Sequence, residues 1–412
     1  MAQRSRHGRR GERDLDGDRW RPPTAAAVGQ VAVVTAALAV PSFGDVAKYG
    51  PHPVVMAGAV TLAIAGVTTA AFTLLARPGF RRVADAWPAS AVMLAAIAAA
   101  SFVLYQGERS RIARGAGGTQ AQALFAPDQA LVHGHHLYSV VLMRGNPVSP
   151  GPLWLIVNVP FSFPHLFPLL LPFWLTVAVV VLRRSLGRRA EVAVGLGLLC
   201  CSPHLYVMLA EGQDLLVLGA LMVALVALAH RLRPGDGASV ALGLSAAVIA
   251  NSRVIYLLLP VLLGLFLARR DRRRAWLVGA IGVAVAGGAH LVASVGTHPY
   301  PPAHLFGRAT TEPTANIAIG ITVTAVIVVV ALRRLSPDVR TWFTCLAWCV
   351  ALPHAFIGLG ELEALQFTFR SWEGANYLFV GAAAVLAAVL AARSAGPPIG
   401  RTVTRSDVAS AL

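Results

Sequence analysis

Long apolar segments separated by short polar turns make up most of this chain. The apolar segments are about 15 to 22 residues long, and about 20 apolar residues are needed for an α-helix to cross the hydrocarbon of a bilayer. The pattern therefore predicts an all-α polytopic membrane protein with about 12 transmembrane helices. The predicted spans are residues 24–43, 53–76, 88–105, 165–182, 192–210, 214–230, 237–251, 254–268, 275–296, 315–332, 341–358 and 377–392.

The predicted spans form a single transmembrane domain, residues 23–392, between two polar ends. Residues 1–22 are too charged to bury and are predicted to be a disordered cytoplasmic tail. Residues 393–412 are predicted to be a second cytoplasmic tail. A large outer loop, residues 106–163, separates the third span from the fourth.

The apolar run at residues 152–182 is longer than one crossing requires, and two prolines and a histidine interrupt it in the sequence SFPHLFP. Because proline removes a helix hydrogen bond, the run is expected to contain two elements. We predict an interfacial or re-entrant helix over residues 152–162, followed by the crossing at 165–182.

Composition supports the membrane assignment, since 56% of the residues are hydrophobic and only 13% are charged. A net charge of +16 could indicate nucleic-acid binding. Nearly all of the excess, however, falls on alternate turns, as the positive-inside rule predicts for cytoplasmic loops. We expect a multi-pass protein of the plasma (inner) membrane, with both termini cytoplasmic, the lipid bilayer as a partner and no nucleic-acid partner.

No cofactor or metal is predicted. Cys200, Cys201, Cys345 and Cys349 all fall inside apolar runs and are expected to be small packing residues. The chain has no P-loop and no GxGxxG sequence at a strand-to-helix junction, so chemistry driven by a cytoplasmic nucleotide is unsupported. Polar and aromatic residues are concentrated in the outer connections, which places a candidate cleft at the outer membrane boundary. Lipid-linked sugars are substrates available on that side.

The outer loop from residue 118 to residue 163 is the most polar segment between apolar runs. Polar groups of this density must line a pocket or face water. Asp128 follows Pro127, which suits the start of an amphipathic helix over QALVHGHHLY. The loop also has three histidines, but no acidic cluster at ligand spacing accompanies them, so a metal site is not expected at His133, His135 and His136.

Several motifs resemble a known family. The sequences GHHLY and RGNPVSPGPLW of the outer loop, the later LAEGQDLLVLGAL and the GASVALGLSAAVIANSRVIYLLLPVLL segment are similar to elements of glycosyltransferase family 87. These are actinobacterial mannosyltransferases of the GT-C fold that use polyprenyl-phosphate-mannose. The resemblance implies a GT-C type architecture. It also implies transfer of a hexose, mannose by this likeness, from a polyprenyl-phosphate donor to a cell-envelope glycolipid or polysaccharide acceptor.

The chain departs from the family pattern in two features. Gln120 and Gln122 stand where the family has an aspartate at the start of the loop, and Arg253 stands where it has a lysine. A glutamine cannot accept a proton from a sugar hydroxyl, whereas an arginine can still bind phosphate. Either Asp128 has taken over the role of the base, or the protein is not an active enzyme.

Transfer from a lipid phosphate requires a carboxylate as general base and cations for the leaving phosphate. Asp128 is the first candidate base; the alternative is that it caps a helix. Asp45 is the second, because an aspartate and a tyrosine four residues apart recur in the family loop; the alternative is a solvated interfacial residue. Glu108 is a weaker third candidate.

The donor phosphate is expected to contact Arg253, which follows an apolar helix where an unpaired charge is costly. The alternatives are pairing with Asp214 or simple anchoring at the interface. Further candidates for the phosphate are Arg370, His298 and His304. Gln213, Asp214 and Asn251 are assigned either to the acceptor or to polar contacts between helices.

Two rival functions remain open, a lipid-linked saccharide transporter or flippase and a catalytically degenerate structural relative. A transporter is expected to show paired inverted repeats with broken helices at corresponding positions. No internal repeat is evident in the sequence, which favours a hexosyltransferase.

Overall fold

The computed structural model describes residues 24–394 except for residues 116, 117, 144, 164, 233, 234, 298, 299, 304–337, 367, 370, 371 and 373. Over this part of the chain the regular structure is helical and contains no β-strand. The α-helices are α1 (Ala25–Ala39), α2 (Ser42–Tyr49), α3 (Pro53–Leu75), α4 (Pro78–Asp85), α5 (Trp87–Ala113), α6 (Gln122–Val132), α7 (Pro152–Asn158), α8 (Leu170–Leu186), α9 (Arg189–Cys200), α10 (Pro203–Glu211), α11 (Leu215–Arg231), α12 (Asp236–Ala250), α13 (Leu259–Ala268), α14 (Arg272–Ser294), α15 (Val339–Ala364) and α16 (Gly374–Ser394).

Among the described residues, 6 helices are long and apolar enough to cross a membrane, or up to 8 if each of two bent helix pairs is one span. The prediction of a multi-pass helical membrane protein is therefore confirmed. The predicted number of 12 transmembrane helices is not. The predicted spans at 214–230, 237–251 and 254–268 correspond to shorter apolar helices, and the predicted span at 315–332 lies outside the described residues.

Two of the predicted spans correspond to bent helix pairs, and the first pair continues beyond residue 43, where the prediction ended the span. Helices α1 and α2 meet at 45°, and α9 and α10 meet at 76°. Pro203 explains the second break, because the residue before a proline is disfavoured in the helical region, and Ser202 is extended there with ψ at 122°. At the first break Pro41 precedes Ser42, the first residue of α2.

Helix α5 continues eight residues beyond Tyr105, the end of the third predicted span. The residues QGERSRIA are mostly polar but contain no proline, and the helix continues through Gly107 until the left-handed Gly115. An ion pair between Glu108 and Arg111, at 3.1 Å and one turn apart, supports the extension. The polar stretch predicted as the start of the outer loop is therefore mostly helical.

Helix α6 also differs from the prediction. It begins at Gln122, so Pro127 lies inside it, and it ends at Val132 before the left-handed Gly134. Asp128 is thus in the body of the helix, and the prediction that it opens or caps an amphipathic helix over QALVHGHHLY was wrong. The predicted element over residues 152–162 is present as α7 and a short 3-10 helix, Val159–Phe161, ahead of the break that precedes α8.

Helix α11 is the centre of the bundle. Its side chains are apolar on every face, and nearly all of them are buried, which is typical of a helix surrounded by protein. It packs against α8, α12, α13, α15 and α16. A Cβ added to Gly219 would lie 2.2 Å from the carbonyl oxygen of Val380, so α11 and α16 approach as closely as backbones permit.

Other small residues serve the same purpose elsewhere. In α14, a Cβ added to Gly282 would lie 2.4 Å from the side chain of Pro260, and in α16 one added to Gly381 would lie 2.7 Å from Ala351. The four cysteines are free thiols, and Cys201, at the break between α9 and α10, is exposed rather than packed. Small residues therefore set helix spacing, as expected for helices that associate in lipid.

The bundle has two ends of different chemistry. At the basic end the arginine-rich turns contact one another; Arg81 pairs with Glu191 at 2.6 Å, and Arg231 donates to the carbonyl oxygen of Arg184 at 2.6 Å. At the other end, which we call the polar end, acidic, amide and histidine side chains meet. These are Asp45, Glu108, His204, Glu211, Gln213, Asp214, Asn251 and Arg253.

Candidate functional site

Asp45 occupies the first turn of α2, where a carboxylate is favoured by the helix dipole. Its Oδ2 lies 2.7 Å from Nδ1 of His204 in α10, although the two residues are 159 positions apart in the chain. The Asp45 side chain is 15% exposed, and that of His204 is 2% exposed. The pair therefore consists of a reachable carboxylate and a histidine held in the interior.

The two helix breaks hold this pair in place. The backbone N–H of His204 donates to Ser42 Oγ at 3.2 Å, and the Ser202 hydroxyl donates to the Leu38 carbonyl at 2.8 Å. The imidazole also stands edge-on to Phe379, with ring centroids 5.2 Å apart. Because α1, α2, α10 and α16 all contribute contacts, the position of the imidazole is determined by several elements.

Glu211 brings a second carboxylate to the same end of the bundle. It ends α10, and its side chain lies 3.9 Å from Nζ of Lys48 and accepts a hydrogen bond of 2.5 Å from Gln213 Nε2. Asp45 and Glu108 both act electrostatically on Glu211. Three carboxylates, a lysine, a histidine and an amide therefore form one polar cluster, which we call the carboxylate cluster.

A glycine makes the connection after α10 possible. Gly212 has a left-handed backbone with φ at 66°, and a Cβ there would lie 2.6 Å from the ring of Phe167. The chain turns at this residue so that Gln213 and Asp214 follow Glu211 directly into the polar end. The GQD part of the resemblance motif is thus a tight turn between α10 and α11.

Arg253 and Asp214 form a buried ion pair with two parallel hydrogen bonds. Arg253 donates from one terminal nitrogen to Asp214 Oδ1 at 2.7 Å and from the other to Oδ2 at 3.1 Å. The indole N–H of Trp154 donates to Oδ2 of the same carboxylate at 2.7 Å. All three residues are buried. Arg253 is therefore paired with Asp214, which was one of the predicted alternatives to phosphate binding. A donor phosphate could bind Arg253 only by displacing the Asp214 carboxylate.

Asn251 fastens the outer loop to α12 and α14. Its side-chain oxygen accepts from the Leu153 N–H at 2.7 Å, its backbone oxygen accepts from the Gly151 N–H at 2.9 Å, and its amide donates to the Ala286 carbonyl at 3.0 Å. A Cβ on Gly151 would lie 2.2 Å from the Asn251 backbone oxygen, so glycine is required. With Trp154 bound to Asp214, the PGPLW, GQD and ANSR motifs meet at one buried junction.

Asp128 is placed differently from Asp45. It is 1% exposed, and its Oδ1 has no hydrogen-bond partner in the structure. Removal from water disfavours the ionised form and raises the pKa of this carboxyl to about 8. At neutral pH the group is mostly protonated, and a protonated carboxyl cannot act as a base.

The remaining acidic and amide candidates have structural contacts. Glu108 is buried, and it accepts from the Gly118 N–H while pairing with Arg111. The Gln122 side chain accepts from the Met143 N–H at 2.8 Å. Where the family has an aspartate, one of the two glutamines therefore ties the loop to α6.

The loop histidines are spread along the surface. His133 is bonded to the Gln129 carbonyl at 2.7 Å, and His136 accepts from the Tyr138 N–H at 3.2 Å. Within the described ranges, no group of three or more histidine, cysteine or acidic side chains could hold a metal ion. The other phosphate candidates, Arg370, His298 and His304, lie outside the described residues.

Three members of the carboxylate cluster, Lys48, His204 and Glu211, were not predicted from the sequence. His204 directly follows the Ser-Pro pair that breaks α9 from α10, and a polar residue at such a break in an apolar span is a recognisable signal. Glu211 is part of the LAEGQD motif, but only Gln213 and Asp214 of that motif were predicted as site residues. Trp154 was likewise within a quoted motif, and its indole N–H required a buried acceptor.

The fold and the site together define a class, a multi-pass helical membrane protein with a carboxylate cluster at one end of the bundle. Comparisons with known proteins add no narrower assignment, because no family model, no curated protein and no solved structure matches the chain.

Proposed function

We propose that the protein is a membrane glycosyltransferase that moves a hexose, mannose by the sequence resemblance, from a polyprenyl-phosphate donor to a cell-envelope glycolipid or polysaccharide. The observation that carries this proposal is the Asp45 carboxylate, partly accessible and hydrogen-bonded to His204 at 2.7 Å. A base for a lipid-linked donor has to lie where a polar acceptor and a membrane-embedded substrate can meet, and the polar end of an apolar bundle provides that place.

In the proposed reaction Asp45 takes the proton of an acceptor hydroxyl as the oxygen attacks the anomeric carbon of the donor sugar. The bond between that carbon and the phosphate oxygen breaks, and the electron pair leaves with the polyprenyl phosphate. Oδ2 of Asp45 is hydrogen-bonded to His204, and this buried histidine orients the carboxylate. An oriented base of this kind contributes typically about 10²- to 10⁴-fold to a rate.

Asp45 is preferred to Asp128 for a physical reason. Asp128 is closed off from solvent, and its pKa is raised to about 8 by burial, so little of it is ionised at neutral pH. Glu108 is already committed to the Gly118 N–H and to Arg111. Of the three carboxylates proposed from sequence, Asp45 is the one that combines access with an orienting partner.

The donor phosphate is assigned to a cation other than Arg253. Arg253 is buried, and two of its terminal N–H groups are hydrogen-bonded to Asp214. If a phosphate took Arg253 from Asp214, the buried Asp214 charge would lose its counterion. Lys48 lies three residues after Asp45 on α2 with its side chain 41% exposed, and we propose it as one phosphate contact. Arg370, His298 and His304 remain proposed contributors.

The test is a transfer assay in membranes that contain the full chain, with radiolabelled polyprenyl-phosphate-mannose as donor and extracted envelope glycolipids as acceptors. Asp45→Asn is expected to lower transfer about 10²-fold or more. Asp128→Asn is the matched control, the same change in a buried carboxyl, and is expected to retain nearly full activity. Loss of transfer in Asp128→Asn with normal activity in Asp45→Asn would reverse the assignment.

A second candidate function has a structural observation in its favour. Broken helices whose ends line a polar site are typical of secondary transporters, and Asp45 and His204 each follow a break in a bent helix pair. A lipid-linked saccharide transporter would move polyprenyl-phosphate-mannose across the membrane of a proteoliposome without transferring its sugar. Measuring translocation and transfer on the same proteoliposomes separates the two functions, and the absence of both would favour a degenerate relative.

A further inference from the structure

An apolar cleft opens at the basic end of the bundle, far from the carboxylate cluster. It lies between α8, α9, α11 and α16, with Phe343 of α15 on one wall, and contains about 660 Å³ of empty space, part of which is open to its surroundings. Leu186 and Ala391, near the basic ends of α8 and α16, line the end that we call the mouth, and Ala220 and Ala383 line the opposite, inner end. The lining is almost wholly aliphatic, so water is a poor occupant.

The depth of the cleft matches one layer of lipid. From Ala391 to Ala383 the wall follows eight residues of α16, which is roughly 12 Å at the rise of an α-helix. One half of the bilayer hydrocarbon is about 15 Å deep. A cleft of this depth that begins at the arginine-rich turns therefore follows the direction of an acyl chain from a headgroup toward the bilayer centre.

Arginines lie at the basic end of the cleft. Arg188 lines the cleft and donates to the Ala391 carbonyl at 3.1 Å, while Arg184 and Arg189 are exposed residues within two positions of lining residues. Among the described residues, the one carboxylate that lines the cleft belongs to Glu191, and it pairs with Arg81 at 2.6 Å. A backbone carbonyl does not neutralise a guanidinium, so the mouth carries a net positive charge.

We propose that this cleft is a binding site for one acyl chain of an anionic phospholipid whose phosphate contacts Arg188 and Arg189. The apolar wall selects the chain, and the arginines select the negative headgroup. Since each basic residue at a membrane surface contributes an attraction equivalent to about fivefold in affinity, two arginines favour an anionic over a zwitterionic lipid by roughly 25-fold.

The test uses the purified full chain in phosphatidylcholine vesicles. The probe is a trace of phosphatidylglycerol with a photoreactive diazirine near the end of one acyl chain, and the comparison probe is phosphatidylcholine with the same chain. Peptide mass spectrometry is expected to find phosphatidylglycerol adducts on the inner wall, at Ala220, Val223 or Ala383, at least about fivefold above phosphatidylcholine adducts.

Two variants make the test specific. Ala387→Trp places an indole in the cleft and is expected to abolish the inner-wall adducts, whereas Ala63→Trp on the exposed surface of α3 leaves them unchanged. If Ala387→Trp does not fold, Arg188→Gln serves instead. It is expected to lower the preference for phosphatidylglycerol about fivefold, with Arg82→Gln on the exposed surface of α4 as its control.

Three results would each overturn the proposal: an unlabelled inner wall, equal labelling by both probes, or unchanged adducts in folded Ala387→Trp. None of these results depends on transferase activity, so the lipid site is tested independently of the proposed function.

Discussion

Removing one partner of the buried Arg253–Asp214 ion pair should destabilise the protein by about 3 to 5 kcal/mol, because the other charge would remain in the interior without a counterion. The pair is held by hydrogen bonds of 2.7 and 3.1 Å, and both side chains are buried. The informative variants are Arg253→Met, Asp214→Leu and the combination of both.

The two single variants should differ in a defined direction. Asp214→Leu also removes the acceptor of the Trp154 indole, and a buried donor left unpaired costs about 1 to 3 kcal/mol. In Arg253→Met that hydrogen bond survives. Asp214→Leu is therefore expected to be the less stable variant. In the double variant no charge is stranded, and the unpaired Trp154 indole is the main remaining cost, so its stability should be within about 3 kcal/mol of the wild type.

Thermal unfolding in detergent, followed by the loss of the monodisperse peak in size-exclusion chromatography, provides the measurement. The matched control is the exposed pair of Arg273 and Asp236, which has a shorter contact of 2.5 Å but side chains 76% and 55% exposed. Its disruption by Arg273→Met should cost less than about 1 kcal/mol. Additive single effects in the double variant, or single variants as stable as the control, would refute the reasoning about burial.

Two further predictions concern stability. Because the folded protein keeps Asp128 protonated up to about pH 8, whereas an unfolded chain ionises it near pH 4, the free energy of unfolding should fall as the pH rises between these values. The thermal midpoint of the wild type should therefore decline more steeply from pH 5.5 to 8 than that of Asp128→Asn; parallel curves would contradict the burial of an ionisable carboxyl. Gly219→Ala should lower the thermal midpoint clearly, since its Cβ would meet the Val380 carbonyl at 2.2 Å, whereas Gly66→Ala, with open space around it, should have no such effect. Equal behaviour of the two glycine variants would show that α11 and α16 are not in close contact.

Much of the helical framework could be predicted from sequence because an apolar run is a local property. The spans at 53–76 and 377–392 correspond closely to α3 and α16. The end of α5 could not be predicted from hydropathy, since a helix that leaves an apolar layer can continue as long as its polar residues tolerate helical backbone. For α6, the proline that suggested a helix start lies in the interior of the helix.

The site was less accessible to sequence reasoning because it depends on pairing across the chain. Pairing of Arg253 with Asp214 was one of the predicted alternatives. The other partners, His204 of Asp45 and Trp154 of Asp214, are 159 and 60 residues away from these carboxylates and were not predicted. Local pattern indicates that a buried polar group needs a partner but does not identify it. The preference for Asp45 over Asp128 likewise rests on exposure, which depends on the packing of the outer loop.

The central helix α11 is shorter than the hydrocarbon of a bilayer is thick. Its 17 residues span about 26 Å at the rise of an α-helix, whereas the hydrocarbon is about 30 Å thick. Because nearly all of its side chains are buried among other helices, protein rather than lipid determines the length that α11 needs. A bilayer of different thickness would therefore act on lipid-facing helices such as α3, of which little is buried in the protein, and not directly on α11.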